Sequence, residues 1–193
     1  MTLFIPESEV KLAGVVLAGG LSTRMGQPKE WLPFGPETML QRVVRIVREA
    51  ADPVVVARAA GRSLPPLPPE VETVVDDAPA RGPLQGLFAG LAALVDRADA
   101  VFVTSCDVPL LRASLIRTLA DHLGVGEMVV AEFEGRRHPL TAVYRTLVHA
   151  RIEALLAEGK WRMTDLLDAC STRVVTADQL RSVDPDLLGF RNV

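Results

Sequence analysis

Short apolar runs alternating with longer amphipathic segments leave this chain few folds to adopt. Residues 12–18 (LAGVVLA), 53–57, 71–75, 100–105, 127–132 and 140–144 read as strands, each a brief apolar or β-branched run bounded by turn residues. Between them, residues 39–50, 84–95, 112–123, 146–158 and 163–169 carry helical periodicity. In the first of these Leu40, Val43, Val44 and Val47 form one stripe, with Arg42, Arg45 and Arg48 interleaved. Such alternation predicts an α/β fold around a mostly parallel sheet. The proline-dense stretch 63–69 (SLPPLPP) is expected to be loop. No segment reads as an interdomain linker and no repeat is visible, so residues 1–193 are expected to form a single Rossmann-like domain.

Charge and cysteine content narrow the function classes. The formal net charge of -3 argues against a general nucleic-acid binder, which presents a basic face. It leaves room for a nucleotide pocket, which needs only a few local cations. Cys106 and Cys170 stand far apart without metal-ligand spacing, as expected in a reducing compartment. The opening MTLFIPESEVKLAG has acidic residues where a signal peptide carries basic ones, and no run approaches the ~20 apolar residues of a membrane span. A cytoplasmic protein that contacts no membrane is the expectation.

In open α/β sheets ligands bind at the carboxyl ends of strands, which directs attention to three junctions. After the first strand comes LAGGLSTRMGQPK, residues 17–29. Its glycines, Gly19 and Gly20 first, let backbone amides approach a phosphate, while Arg24 and Lys29 supply charge for a polyphosphate. The spacing matches neither a P-loop nor a dinucleotide fingerprint. After the strand at 100–105 comes Cys106-Asp107-Val108-Pro109. Asp107 is placed to hold Mg²⁺ against phosphate oxygens, and Cys106, with no partnering His or Asn, is expected to be a small buried hydrophobe. Between these junctions Asp76 and Asp77 end a strand, and Gly82-Pro83 opens a helix whose amides suit an anion. Further on, Arg136, Arg137 and His138 are expected in a loop ahead of a strand, as receivers of a second anionic substrate or as a solvated hairpin tip. His122 and His149 fall within helices as boundary positions.

Across nearly its whole length the sequence resembles the molybdenum cofactor guanylyltransferases. The resemblance rests on LAGG-x-STRMG-x-x-K, the GPLQG segment with its preceding aspartates, CDVP, RRHPL, and the closing FRNV, in that order. FRNV is similar to the beginning of the family's late Asn-x-Asn-Thr-Pro motif. The resemblance implies a nucleotide-diphospho-sugar transferase fold, GTP as substrate, Mg²⁺ as cofactor, a molybdopterin-type small molecule as acceptor, and cofactor-insertion or delivery proteins as possible partners. It also implies that Leu17, Ala18 and Gly19 form nucleotide-facing backbone, that Lys29 meets the GTP phosphates, and that Asp77 contacts the nucleotide. Asp107 would bind Mg²⁺ and GTP, and Asn192 would face the pterin beside Arg137 and His138. Residues 12–110 would then be the nucleotide-binding half and 111–193 the acceptor-side half. Cytidylyltransferases share much of the first motif. Glycine at position 19, where they commonly carry alanine, favours guanine, and CTP-dependent, sugar-phosphate and catalytically silent relatives stay open as alternatives.

Overall fold

The strand β1 (Leu12–Ala18) is buried along nearly its whole length, and both of its faces are covered. Ala13, Val15 and Leu17 point into one apolar cluster, Val16 and Ala18 into another, as the two-residue period of a strand requires. The computed structural model describes residues 10–19, 28–78 and 82–193. After β1 a 3-10 turn (Lys29–Trp31) leads to a small hairpin, β2 (Pro33–Phe34) and β3 (Glu37–Thr38), and then to α1 (Met39–Arg48). The chain continues through β4 (Val54–Ala59), β5 (Glu72–Asp76), α2 (Pro83–Ala92), β6 (Ala100–Ser105), α3 (Ala113–Asp121), β7 (Met128–Phe133) and β8 (Arg136–Arg145). It closes with α4 (Val148–Ala157), α5 (Met163–Ala169), β9 (Thr172–Thr176) and α6 (Ala177–Leu180).

Local chemistry sets several boundaries. Thr38 opens α1 with a capping box: its hydroxyl accepts from Gln41 N at 3.3 Å, and Gln41 Oε1 accepts from Thr38 N at 2.9 Å. Such caps contribute roughly 0.5–2 kcal/mol. Gly82 has φ +78 and its missing Cβ would lie 3.6 Å from the Trp161 carbonyl oxygen. That conformation suits glycine, and Pro83 follows as the first helical residue of α2.

The large sheet has seven strands in the order β5-β4-β1-β6-β8-β7-β9. Among the described residues every strand of this sheet but β8 runs in one direction. The helices α1, α3 and α6 cover one face, and α2, α4 and α5 the other. This is the expected single α/β domain with a mostly parallel sheet.

One expectation needs correction. Arg136, Arg137 and His138 are not in a loop before a strand beginning at residue 140, because β8 already starts at Arg136. Glu134 (φ 51) and Gly135 (φ 69) both adopt left-handed backbone, and Phe133 pairs with Arg136. This is the two-residue hairpin geometry whose twist matches that of its strands. With Glu-Gly in place of Asn-Gly, the turn carries a weak sequence signal. The β7–β8 register then slips between Val130 and Glu132, leaving extra residues on β8. Pro139 sits in this bulge, where a missing N–H is tolerated, and its carbonyl accepts from the buried Tyr144 hydroxyl at 2.7 Å.

Candidate active site

The carboxyl ends of β1, β4, β5 and β6 share one edge of the sheet, and reversed β8 brings its first residues to that same edge, with Thr104 opposite Thr141. A cleft lies there in two compartments. The smaller, about 150 Å³, is walled by Leu17, Gly19, Arg58, Asp76 and Gly86. The larger, about 720 Å³, is walled by Arg137, His138, Trp161, Arg162, Phe190 and Asn192. Gly82, Pro83, Ser105 and Leu140 line both and so form the seam.

Asp107 follows directly where β6 leaves the sheet. Cys106 N still donates to Leu17 O at 3.1 Å, so the next residue is the first to be released from pairing. Its carboxylate accepts from Lys29 Nζ at 2.8 Å and from Ser105 Oγ at 2.5 Å. The two side chains are 31% and 13% exposed, so the pair is open to solvent; it reaches the seam of the cleft through Ser105, which lines both compartments. The loop beyond is held by Arg42, whose Nε donates to Pro109 O at 2.7 Å while its guanidinium lies 4.9 Å over the Phe34 ring. The small hairpin β2–β3, which the sequence did not announce, thus helps hold the Asp107 loop.

A divalent cation is tested here by the donor set. Each oxygen of Asp107 keeps lone-pair capacity beyond its single hydrogen bond. No group of three or more His, Cys, Asp or Glu clusters among the described residues. Asp107 therefore fits an ion that takes most of its oxygens from phosphate and water, as Mg²⁺ does. Cys106 is buried, and burial first, then Asp107 and Glu30, pushes its thiol up to about 12. That excludes a thiolate nucleophile at neutral pH and leaves the expected apolar role.

Leu17 and Gly19 line the smaller compartment, whereas the Ala18 side chain turns to the opposite face. At the end of β5 the side chain in the compartment wall is Asp76, which is buried with Oδ1 accepting from Ala78 N at 2.9 Å. Asp77, the aspartate singled out by resemblance, is exposed beside it. Gly20 and Arg24 lie outside the described residues.

In the larger compartment, Arg137, His138 and Asn192 are brought together by elements far apart in sequence. Arg137 pairs with Glu132 at 2.9 Å. His138 stacks on Phe133 with ring centroids 4.0 Å apart and meets the edge of Phe190 at 5.2 Å. Burial, with help from Arg136 and against Glu134, lowers its pKa and favours the neutral ring. Sequence reasoning missed Arg58, Trp161 and Arg162, and took Phe190 only as part of the closing FRNV motif. Arg58 follows an apolar run, and Trp161-Arg162 directly precedes α5, positions that a search of strand and helix ends would have found.

Residues 14–174 match the MobA-like NTP transferase domain. The chain belongs to that family. A probable molybdenum cofactor guanylyltransferase of Mycobacterium marinum is 41% identical over 174 residues, covering 88% of this chain and 86% of the relative. Among solved structures, molybdopterin-guanine dinucleotide biosynthesis protein A of Archaeoglobus fulgidus superposes with TM-score 0.75 at 19% identity, over 94% of this chain and 91% of that one. The 2-C-methyl-D-erythritol 4-phosphate cytidylyltransferase of Thermus thermophilus does so with TM-score 0.62 at 20% identity, over 93% and 95%. The MobA-like architecture is thus shared by proteins named for different nucleotides, and the fold alone does not choose the base. Among the described residues no helix is long and apolar enough to cross a membrane.

Proposed function

We propose that this MobA-like protein transfers GMP from GTP to the terminal phosphate of a molybdopterin-type acceptor and releases pyrophosphate. The observation that carries the reading is the Lys29–Asp107 pair beside Ser105 at the seam of a two-compartment cleft, in a chain 41% identical to a probable molybdenum cofactor guanylyltransferase. An oxygen of the acceptor phosphate forms the new bond to the α-phosphorus, and the α–β bridging bond breaks, its electrons leaving with pyrophosphate. The nucleophile is already an anion, so alignment and charge neutralisation matter more than proton transfer.

Asp107 holds Mg²⁺ in this reading, and the ion supplies neutralisation of phosphate charge. Lys29 turns from Asp107 to the triphosphate, and Arg24 meets the departing pyrophosphate. The first N–H groups of α2 beyond Pro83, which itself has none, would meet anionic oxygens from the seam. Leu17, Ala18, Gly19 and Gly20 offer backbone to the nucleotide, with Asp77 or its buried neighbour Asp76 reading the nucleoside. Arg137, His138 and Asn192 receive the acceptor. Residues 12–110 then serve as the nucleotide half and 111–193 as the acceptor half of the single domain. The free thiols of Cys106 and Cys170 accord with a cytoplasmic setting, from which cofactor-insertion or delivery proteins take the product.

The test is pyrophosphate release by the purified protein with molybdopterin, comparing GTP with CTP and Mg²⁺ with chelator. Release with GTP and Mg²⁺ is expected. Release with CTP instead would overturn the base assignment while keeping the chemistry. Tight GTP binding without release with either nucleotide would make the protein a silent nucleotide binder, and release in chelator would remove Mg²⁺ from the scheme.

A further inference from the structure

The C-terminal segment contains a buried carboxylate that the proposed chemistry does not use. Asp184 is 0% exposed. Its Oδ1 accepts from Leu188 N at 3.1 Å and its Oδ2 from Gly189 N at 2.7 Å. Burying a carboxylate is unfavourable unless hydrogen bonds replace its water, so its presence in this turn calls for a return elsewhere. Gly189 allows the arrangement: a Cβ there would stand 2.6 Å from Leu115 Cδ2 and 3.0 Å from Asp184 Oδ2.

Beyond the turn the chain becomes part of the acceptor-side wall. Phe190 packs its ring 5.2 Å from both Phe133 and His138, and Phe190 and Asn192 line the larger compartment. Val193 N then donates to Asp107 O at 3.0 Å, tying the segment to the residue that pairs with Lys29 and Ser105. None of these residues lines the smaller compartment. We infer that Asp184 is a positioning residue, whose carboxylate sets the turn that carries Phe190 and Asn192 into the acceptor compartment and seats Val193 against Asp107. The inference rests on the guanylyltransferase reading for the identity of the acceptor, and on the hydrogen bonds alone for the positioning.

Asp184→Asn keeps the volume but turns an amide NH₂ toward one of the two backbone donors. Two measurements are made on the full chain. Amide hydrogen exchange is expected to quicken in the peptide spanning 187–193 and to stay unchanged elsewhere. The KM for molybdopterin is expected to rise about tenfold, the scale of one charge-assisted hydrogen bond, with the KM for GTP unchanged. In an Asn192→Ala background the same substitution should add little to that KM, because both changes act through one group. Unchanged exchange at 187–193, equal shifts in both KM values, or additivity with Asn192→Ala each overturns the inference. A wild-type protein that releases no pyrophosphate sinks the guanylyltransferase reading instead, and hydrogen exchange still decides the positioning role. Should Asp184→Asn fail to fold, Gly189→Ala disturbs the same turn from the other side and is judged by the same two measurements.

Discussion

Asp107 occupies the first position released from the β1–β6 pairing, and its two carboxylate oxygens already hold an ammonium and a hydroxyl. A partly exposed ion pair of this kind contributes at most about 1 kcal/mol to stability. Stabilising charge on transferring phosphates is worth far more, so Asp107→Ala is expected to lower turnover by ~10²–10³-fold while shifting the unfolding midpoint only slightly. Steady-state kinetics beside a urea titration check this, and a variant with near-normal turnover would remove Asp107 from the reaction. At this scale the sequence announced residues whose chemistry is local. Asp107 stood just past a recognisable apolar run and Lys29 closed the glycine-rich segment after the first, and the two meet beside Ser105 of the cleft seam. The choice between Asp76 and Asp77 was not legible, because it depends on where the last paired residue of β5 falls: Ala59 pairs with Asp76, turning that side chain inward and leaving Asp77 exposed.

Helices close onto β1 from both sides through glycines. A Cβ on Gly14 would lie 2.4 Å from Val47 Cγ1 of α1, and one on Gly90 of α2 would lie 2.7 and 2.8 Å from the two γ-carbons of Val15. Val15 is fully buried and β-branched, so it has no rotamer space to yield. Gly90→Ala gains about 1 kcal/mol of helix propensity and loses about 1–3 kcal/mol to overpacking, so net destabilisation of up to ~2 kcal/mol is expected in chemical denaturation. Combining it with Val15→Ala should restore part of the loss, since the added methyl enters the space vacated. Full additivity of the two changes would mean that they do not share that contact. Element identity was legible here because both signals, strand runs and helical stripes, are short-range. The hairpin β2–β3 and the early start of β8 were not, since each depends on turn geometry at residues with weak turn preference.

Over the whole molecule, acid stability has identifiable contributors. His138 is held by Phe133 and Phe190, with Glu134 and Arg136 as its charged neighbours. Its pKa is lowered in the fold, chiefly by burial, against ~6.5 when unfolded. The native state therefore binds fewer protons in the window between those values. Stability from this group is complete above about pH 6.5 and declines as pH falls through the window towards the folded value. At lower pH three carboxylates lose their contribution in turn: Glu37 and Glu72, held below the usual glutamate range chiefly by Arg45 and Arg97, and Glu127, held down chiefly by the Ser171 amide. Urea denaturation at a series of pH values should show the first decline in wild type and its absence in His138→Phe, which keeps the aromatic stack. An unchanged slope in that variant would assign the effect to another group. The α/β class and strand succession followed from the alternation of apolar runs. The union of residues 137, 138 and 192 in one wall was anticipated through the family resemblance alone and not from local pattern, because it arises from the reversed direction of β8 and from the Asp184 turn, both long-range outcomes of packing.

The meeting of Lys29 with Asp107 has a consequence for how the proposed substrates arrive. In the proposed reading a triphosphate entering alone would draw the ammonium away and leave the carboxylate facing like charge; a dication entering alone would find room on the carboxylate but stand against the charge of the ammonium. Each ligand thus removes the other's obstacle, and the enhancement is equal in both directions by reciprocity of binding free energies. In that reading the pair would make the cleft a coincidence detector, which answers to the metal–nucleotide complex and discounts either half presented by itself.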